Sequence, residues 1–233
     1  MKKALFNGHQ GVGDWIICTG IINNLSKKYD QIVLPVAPTA YYSVQRIFRD
    51  NSKINVILDE NAVHGGKLEA RPESTFSTMY NDCEIITVGH CNKQIPLEMR
   101  IWDQSMYKQA GVNFEESWKF SYPREESEEI ELENHYNQCT VFLHDDPTKK
   151  RLISKDIKGS IGDYIYPDRN FTDVITNYTK LLQRCTEIHC IPSSFSCFID
   201  RIELPLNPIL NLHVYARSKS VLPTYKKNWN YIY

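Results

Sequence analysis

Apolar residues along this chain fall into short runs, and the segments between the runs carry a helical period. The first run, Ala4-Leu5-Phe6, breaks at Asn7-Gly8-His9-Gln10-Gly11-Val12-Gly13-Asp14. Behind that turn Ile16, Ile17, Ile21, Ile22 and Leu25 recur at the spacing of one helix face. Gln31-Ile32-Val33-Leu34-Pro35-Val36 predicts a second strand, residues 39–50 a helix capped by Thr39, and Ile54-Asn55-Val56-Ile57-Leu58 a third strand. Residues 59–73 are polar and read as a loop, residues 74–80 as a short helix, and residues 84–88 as a fourth strand. Residues 97–111 predict a helix carrying Leu97, Ile101, Met106 and Tyr107, stopped by Gly111 at the C′ position.

A second alternation follows the acidic stretch 125–133, which reads as a solvated helix between two domains. Thr140-Val141-Phe142-Leu143 is a strand that ends in His144-Asp145-Asp146-Pro147. Residues 148–170 are polar and irregular, and residues 171–185 predict a helix with Asn170 or Thr172 near its cap. Glu187-Ile188-His189-Cys190-Ile191 is a strand, Pro192-Ser193-Ser194-Phe195 turns into a helix through Ile202, and residues 210–215 form the last strand before a tail at 223–233. Short apolar strands alternating with helices predict parallel sheets covered by helices. The expected fold is α/β, with two Rossmann-like parallel-sheet halves facing a cleft. The expected boundary lies near residue 136, giving domains at 1–136 and 137–233.

Composition narrows the classes. The 233 residues, 42% of them hydrophobic, suffice for one large core or two small ones. A net charge of −1 argues against bulk nucleic-acid binding. No apolar run approaches the ~18–20 residues of a membrane span, so at most peripheral membrane contact is expected. The stretch behind Lys2-Lys3 is cut by polar residues and does not read as a signal peptide. Seven cysteines without a C-x-x-C pair fit reduced thiols in the cytoplasm, and the spacing of Cys185, Cys190 and Cys197 fits no usual zinc pattern.

Candidate chemistry lies where strands end, because ligands of open parallel sheets bind beyond the C-terminal strand ends. At the first turn Gly8, Gly11 and Gly13 stand as G-x-x-G-x-G. A dinucleotide fingerprint expects an acid after the second strand, about 20 residues on, and Ala37-Pro38-Thr39 supplies none. Gly11 and Gly13 otherwise shape a turn that presents Asp14. That acid is either a first-turn complement to the helix dipole or a general base. Ser193 and Ser194, with the N–H groups at Phe195, suit a phosphate or act as plain N-caps. Lys149, Lys150 and Arg151 follow the preceding strand and are either phosphate cations or a solvated loop. His144 and His189 each lie near a strand end. No third carboxylate is placed to join Asp145-Asp146 around a metal, so no metal site is expected.

These motifs resemble a known family. Asn7 to Asp14, with Ile17-Cys18-Thr19-Gly20 behind, resembles the opening of GT-B glycosyltransferases of the bacterial heptosyltransferase type, glycosyltransferase family 9. The resemblance is nearer to short glycosyltransferase-like proteins of bacteria and viruses. It runs through Tyr107-Lys108-Gln109-Ala110-Gly111-Val112, Phe114 and Trp118, then His144-Asp145-Asp146-Pro147. It continues through residues 187–195, Tyr215-Ala216-Arg217, Pro223-Thr224 and Lys227-Asn228-Trp229, and so covers essentially the whole chain. The resemblance implies a compact GT-B-like fold whose N-terminal half takes an acceptor and whose C-terminal half takes a nucleotide-sugar. Asp14 corresponds to the general base of the heptosyltransferase relatives. Ser193, Ser194, Phe195, Lys150 and Arg151 would hold the diphosphate, with His144 and Glu187 as further donor contacts. The implied reaction is metal-independent and inverting, with no cofactor beyond the nucleotide-sugar substrate and a glycan, lipid-linked glycan or other hydroxyl as acceptor. The chain departs from family 9 in being short and in having Pro192-Ser193-Ser194-Phe195 where that family carries Asp-Thr-Gly. Two other readings remain: a catalytically inactive nucleotide- or glycan-binding module, and an NAD-dependent enzyme.

Overall fold

A computed structural model describes residues 1–8, 11–60, 80–90, 92–136, 138–147, 150–153, 164–217 and 221–233. The chain divides into two compact units, Met1–Pro123 and Arg124–Tyr233.

In the first unit four strands form one sheet: β1 (Lys3–Asn7), β2 (Gln31–Val36), β3 (Ile54–Leu58) and β4 (Glu84–Thr87). All pair in parallel in the order β3-β2-β1-β4, with Leu5 opposite both Val33 and Ile85. The order reverses at β1: the chain winds outward to β3, then returns to place β4 on the other side. The β1 and β2 runs of Leu, Ile and Val are buried because helices cover such a sheet.

Helix α1 (Val12–Leu25) is buried almost all round, from Trp15 through Ile22 and at Leu25. At Gly20 a Cβ would overlap the main-chain carbonyl of Glu116 and stand 2.6 Å from the Tyr107 hydroxyl. Glycine there lets α1 lie directly on the 3₁₀ turn Phe114–Trp118. The Tyr107 hydroxyl donates to the Ile17 carbonyl at 2.7 Å, tying in α3 (Trp102–Gln109). That helix is shorter than the predicted 97–111, since its first turn is the 3₁₀ segment Met99–Ile101. Gly111 stands at φ 64°; its N–H bonds the Lys108 carbonyl and the Val112 N–H reaches the Tyr107 carbonyl. These two bonds make the Schellman stop that the sequence implied. Helix α2 (Pro38–Phe48) opens on Pro38, not on a Thr39 cap, because proline's fixed φ suits the first helical position. The predicted helix at 74–80 lies, except for Tyr80, outside the described residues.

The second unit opens with α4 (Glu126–Tyr136). The acidic helix is not simply solvated. Glu129 is 1% exposed and meets Arg124 through two guanidinium nitrogens, Nη2 and Nε, the latter at 2.5 Å. Glu128 accepts from Asn177 Nδ2 at 2.8 Å, and Glu133 pairs with Lys180 at 3.0 Å. These contacts place α4 in the C-terminal unit, and the division falls at Pro123, upstream of the boundary expected near residue 136.

The second sheet comprises β5 (Val141–His144), β6 (Tyr164–Ile165), β7 (Glu187–Cys190), β8 (Ile209–His213) and β9 (Asn230–Ile232). All pair in parallel in the order β6-β5-β7-β8-β9. The predicted helix at 171–185 is a 3₁₀ turn, Ile175–Tyr178, followed by α5 (Thr179–Arg184). Helix α6 (Ser194–Arg201) follows β7. Its Asp200, 3% exposed, accepts from the Lys226 and Lys227 main-chain N–H groups and from Trp229 Nε1, all at 2.9–3.0 Å. This carboxylate turns the expected tail into a strand by pinning residues 226–229 as they lead into β9.

Candidate functional site

Open parallel sheets bind ligands at the switch point, where strand order reverses. The first sheet has its switch point between β1 and β4. The second, with its first strand in the sequence, β5, flanked by β6 and β7, has its switch point between β5 and β7.

At the first switch point β1 ends in Asn7 beside Thr87 of β4, their side chains 3.4 Å apart. Gly11, extended at φ −74°, ψ 145°, is the N-cap of α1. Gly13 and Asp14 fall in the first turn and are half-buried. A Cβ on Gly11 would stand 2.7 Å from Asp14 Oδ2, so the carboxylate lies folded over Gly11 at the positive end of the helix. Gly11 therefore makes room for the acid. The loop after β4 is held by a residue that sequence reasoning did not single out. Gln109 Oε1 accepts from the Gly89 N–H at 2.6 Å, and its Nε2 donates to the carbonyls of Gly89 (3.1 Å) and Ile95 (2.7 Å). The Tyr-Lys-Gln-Ala-Gly-Val motif thus has a physical meaning: Gln109 clamps the loop and Gly111 stops the helix that carries it. His9 and Gln10 lie outside the described residues.

At the second switch point two predicted residues meet. His144 ends β5, and its Nδ1 is 3.1 Å from the Ser193 hydroxyl, which follows β7. The His144 ring packs against Phe195 at 4.7 Å between centroids, and Phe195 packs in turn on Phe142 and Tyr178. Burial pushes the imidazole down to about 4, against the pull of Asp145 and Asp146. A neutral imidazole of this kind is too weak a base to activate Ser193 as a nucleophile. Ser193 is instead an extended N-cap, with its N–H bonded to Ser196 Oγ at 3.0 Å. Ser196 Oγ also meets the Tyr225 hydroxyl at 2.8 Å. Ser194 and Phe195, at the first two helical positions, point N–H groups beyond the sheet, where an anion is favoured. The Ser193 hydroxyl can itself donate to an anion when His144 carries its proton on Nδ1.

The two predicted cations stand near this edge. Asp146 and Arg151 form an antiparallel bridge, their main-chain bonds 2.8 and 2.9 Å, just past β5. Lys150 sits in that hairpin at φ 55° and is exposed, and Arg151 is half-buried. Lys149 lies outside the described residues. Arg169, which the sequence did not single out, is close enough to His144 to oppose its protonation and adds a third cation past β6. Glu187 stands apart: it begins β7, at the opposite end of the strand from Ser193, and bonds His189 (3.0 Å) and Asn211 (3.1 Å). A surface cavity of about 750 Å³, lined by Glu203, Pro208, Lys226 and Lys227 among others, lies at the N-terminal approach to β8 and away from these strand ends. Among the described residues no three His, Cys, Asp or Glu side chains gather as a metal site, and no helix is long and apolar enough to cross a membrane.

The chain's fold is similar to that of a glycosyl transferase family 9 protein from Veillonella parvula. The TM-score is 0.58 over 99% of this chain and 86% of that one, at 9% sequence identity. The sequence matches no protein-family model and no curated protein. The likeness is one of fold: two parallel-sheet α/β units, the fold class that the sequence pattern predicts.

Proposed function

We propose that this chain is a glycosyltransferase that moves a sugar from a nucleotide-sugar to a hydroxyl acceptor. The observation that carries this reading is the meeting of His144 and Ser193 at the switch point of the second sheet, where α6 opens. A diphosphate there has the N–H groups of Ser194 and Phe195, the Ser194 hydroxyl and the cations Lys150, Arg151 and Arg169 as partners. These groups stabilise the charge that develops on the leaving diphosphate, so transfer needs no metal. In the first unit Asp14 takes the proton of an acceptor hydroxyl, which attacks the anomeric carbon with inversion. The acceptor is a glycan, a lipid-linked glycan or a surface polysaccharide, and a cytoplasmic location goes with this reading.

A second reading has one observation in its favour. Asp14 is folded over Gly11, as an acid does when it complements its own helix start. A binding module with an inert Asp14 would hold a nucleotide-sugar and release no nucleoside diphosphate. The test is a thermal-shift screen with UDP-, GDP-, ADP-, CMP- and dTDP-sugars and with NAD, followed by an assay for released nucleotide. A ligand at 100 times its Kd adds about 2.7 kcal/mol of stability. The expected result is a shift with one nucleotide-sugar class and slow nucleotide release. A shift with NAD alone, or with nothing, would sink the proposal, and binding without release would favour the inert module.

A further inference from the structure

A ladder of polar side chains crosses one face of the second sheet. Glu187 and His189 alternate on β7, and Asn211 and His213 stand on the same face of β8, with His189 opposite Asn211. The bonds run from Glu187 Oε1 to His189 Nε2 at 3.0 Å, and from His189 Nδ1 to His213 Nε2 at 2.9 Å. Asn211 Nδ2 also donates to Glu187 Oε1 at 3.1 Å, and Asn230 Nδ2 of β9 donates to Asn211 Oδ1 at 3.2 Å. His189 is 6% exposed and His213 0%. The ladder climbs from the first residue of β7 to the last residue of β8.

Its chemistry fixes the protons. A carboxylate only accepts, so His189 donates from Nε2. Burial depresses both imidazoles, that of His213 to about 4, and keeps them neutral near pH 7. A neutral His189 that donates from Nε2 accepts at Nδ1. His213 must therefore donate from Nε2, and its own Nδ1 is left as a bare acceptor. That atom is buried and, among the described residues, meets no hydrogen-bond partner. A buried acceptor left unmet costs about 1–3 kcal/mol, and native structures rarely leave one without a reason. Two residues further on, Tyr215 lies edge-on to the His213 ring at 5.6 Å and is 37% exposed, so His213 lies one ring below the surface.

We propose that the Glu187–His189–His213 ladder presents His213 Nδ1 as the seat of a neutral ligand hydroxyl, a ribose or sugar hydroxyl of the bound nucleotide-sugar. A bare lone pair repels phosphate and welcomes an O–H. Strand β8 neighbours β7 at about 4.8 Å, so its end is within a nucleotide's reach of the Ser193-Ser194 turn. A turn of the Tyr215 side chain admits the ligand. Glu187 acts at a distance, by holding the tautomer. The inference rests on the reading that the second unit holds a nucleotide-sugar.

The test uses histidine-selective nitrogen NMR on the intact wild-type chain. The probes are UDP-glucose, GDP-mannose, ADP-glucose and dTDP-glucose, each with its nucleoside diphosphate. In the free protein His213 should show protonated Nε2 and bare Nδ1, and the Nδ1 resonance should move when a probe binds. Movement with the nucleoside diphosphate alone assigns the ribose hydroxyl; movement only with the complete nucleotide-sugar assigns the sugar. His213→Phe should raise the Kd at least tenfold, and His213→Gln, which keeps a donor for His189 and an acceptor, should restore most of it. A protonated Nδ1 in the free protein overturns the proposal. So does a resonance unmoved at saturation, or a His213→Phe variant that binds like wild type. If no probe binds the wild type, the nucleotide-sugar reading falls and takes this one with it. If a probe binds and His213 is silent, this one alone falls.

Discussion

The two switch points are built alike and furnished differently. Each has a parallel strand running into a turn that opens a helix. At the first the turn carries glycines, and a carboxylate folds over one of them. At the second the turn carries serines, a neutral imidazole packs behind them, and cations stand nearby. A carboxylate at the first edge repels an anion and accepts a proton. Serine hydroxyls, helix N–H groups and cations at the second edge suit an anion and, on the proposed reading, leave proton transfer to another group. One backbone device thus presents opposite charge at the two edges, and the side chains at a handful of positions decide which.

The largest expected effect falls on the first edge. Asp14→Asn should lower turnover about 10²–10⁴-fold and leave the Kd for the nucleotide-sugar within about twofold, read from nucleotide release and calorimetry. On the second edge Ser193→Ala with Ser194→Ala should weaken nucleotide-sugar binding at least about 10-fold, since each hydrogen bond to a charged group contributes about 1.5–3 kcal/mol. Equal losses of binding in the two variants would erase the distinction between the edges.

Acid should separate the units further. His144 and His213, both in the second unit, stay neutral in the fold to about 4. In the unfolded chain they take up protons near 6.5. The unfolded state therefore binds more protons between those values. Stability is complete above pH 6.5 and falls as pH drops from about 6.5 to about 4, by about 1.4 kcal/mol per pH unit for each group. Hydrogen exchange across that range should show β5, β7 and β8 loosening before β1 and β2. Gly20→Ala should do the reverse, with a cost of about 1–3 kcal/mol from the crowded Glu116 carbonyl and a loss of protection confined to the first unit. The smallest effect is expected at Gly111→Ala, about 1 kcal/mol for a side chain at positive φ.

Much of this was legible in the chain. Runs such as Ile32-Val33-Leu34 and Val141-Phe142-Leu143 announce buried parallel strands, and the Gly-Val-Gly-Asp and Pro-Ser-Ser turns announce helix starts. β6 and β9 were not legible, because Tyr164–Ile165 and Asn230–Ile232 are too short to show a period and become strands only by pairing with β5 and β8. Asp200 looks like any helical acid until residues 226–229 fold back onto it. The polar ladder left a signal that went unread: Glu187 with His189, and Asn211 with His213, alternate with apolar residues in strands, so each pair shares one face. Glu187 became a donor contact through the resemblance, although the strand beginning at Glu187 already set it at the end away from Ser193.

The most direct test of the account is to titrate one nucleotide-sugar into wild type, Asp14→Asn and Ser193→Ala/Ser194→Ala, and to follow nucleotide release in the same samples. The account predicts that Asp14→Asn binds like wild type without turnover, and that the serine variant loses binding. Turnover by Asp14→Asn at the wild-type rate, or unchanged binding by the serine variant, would contradict it.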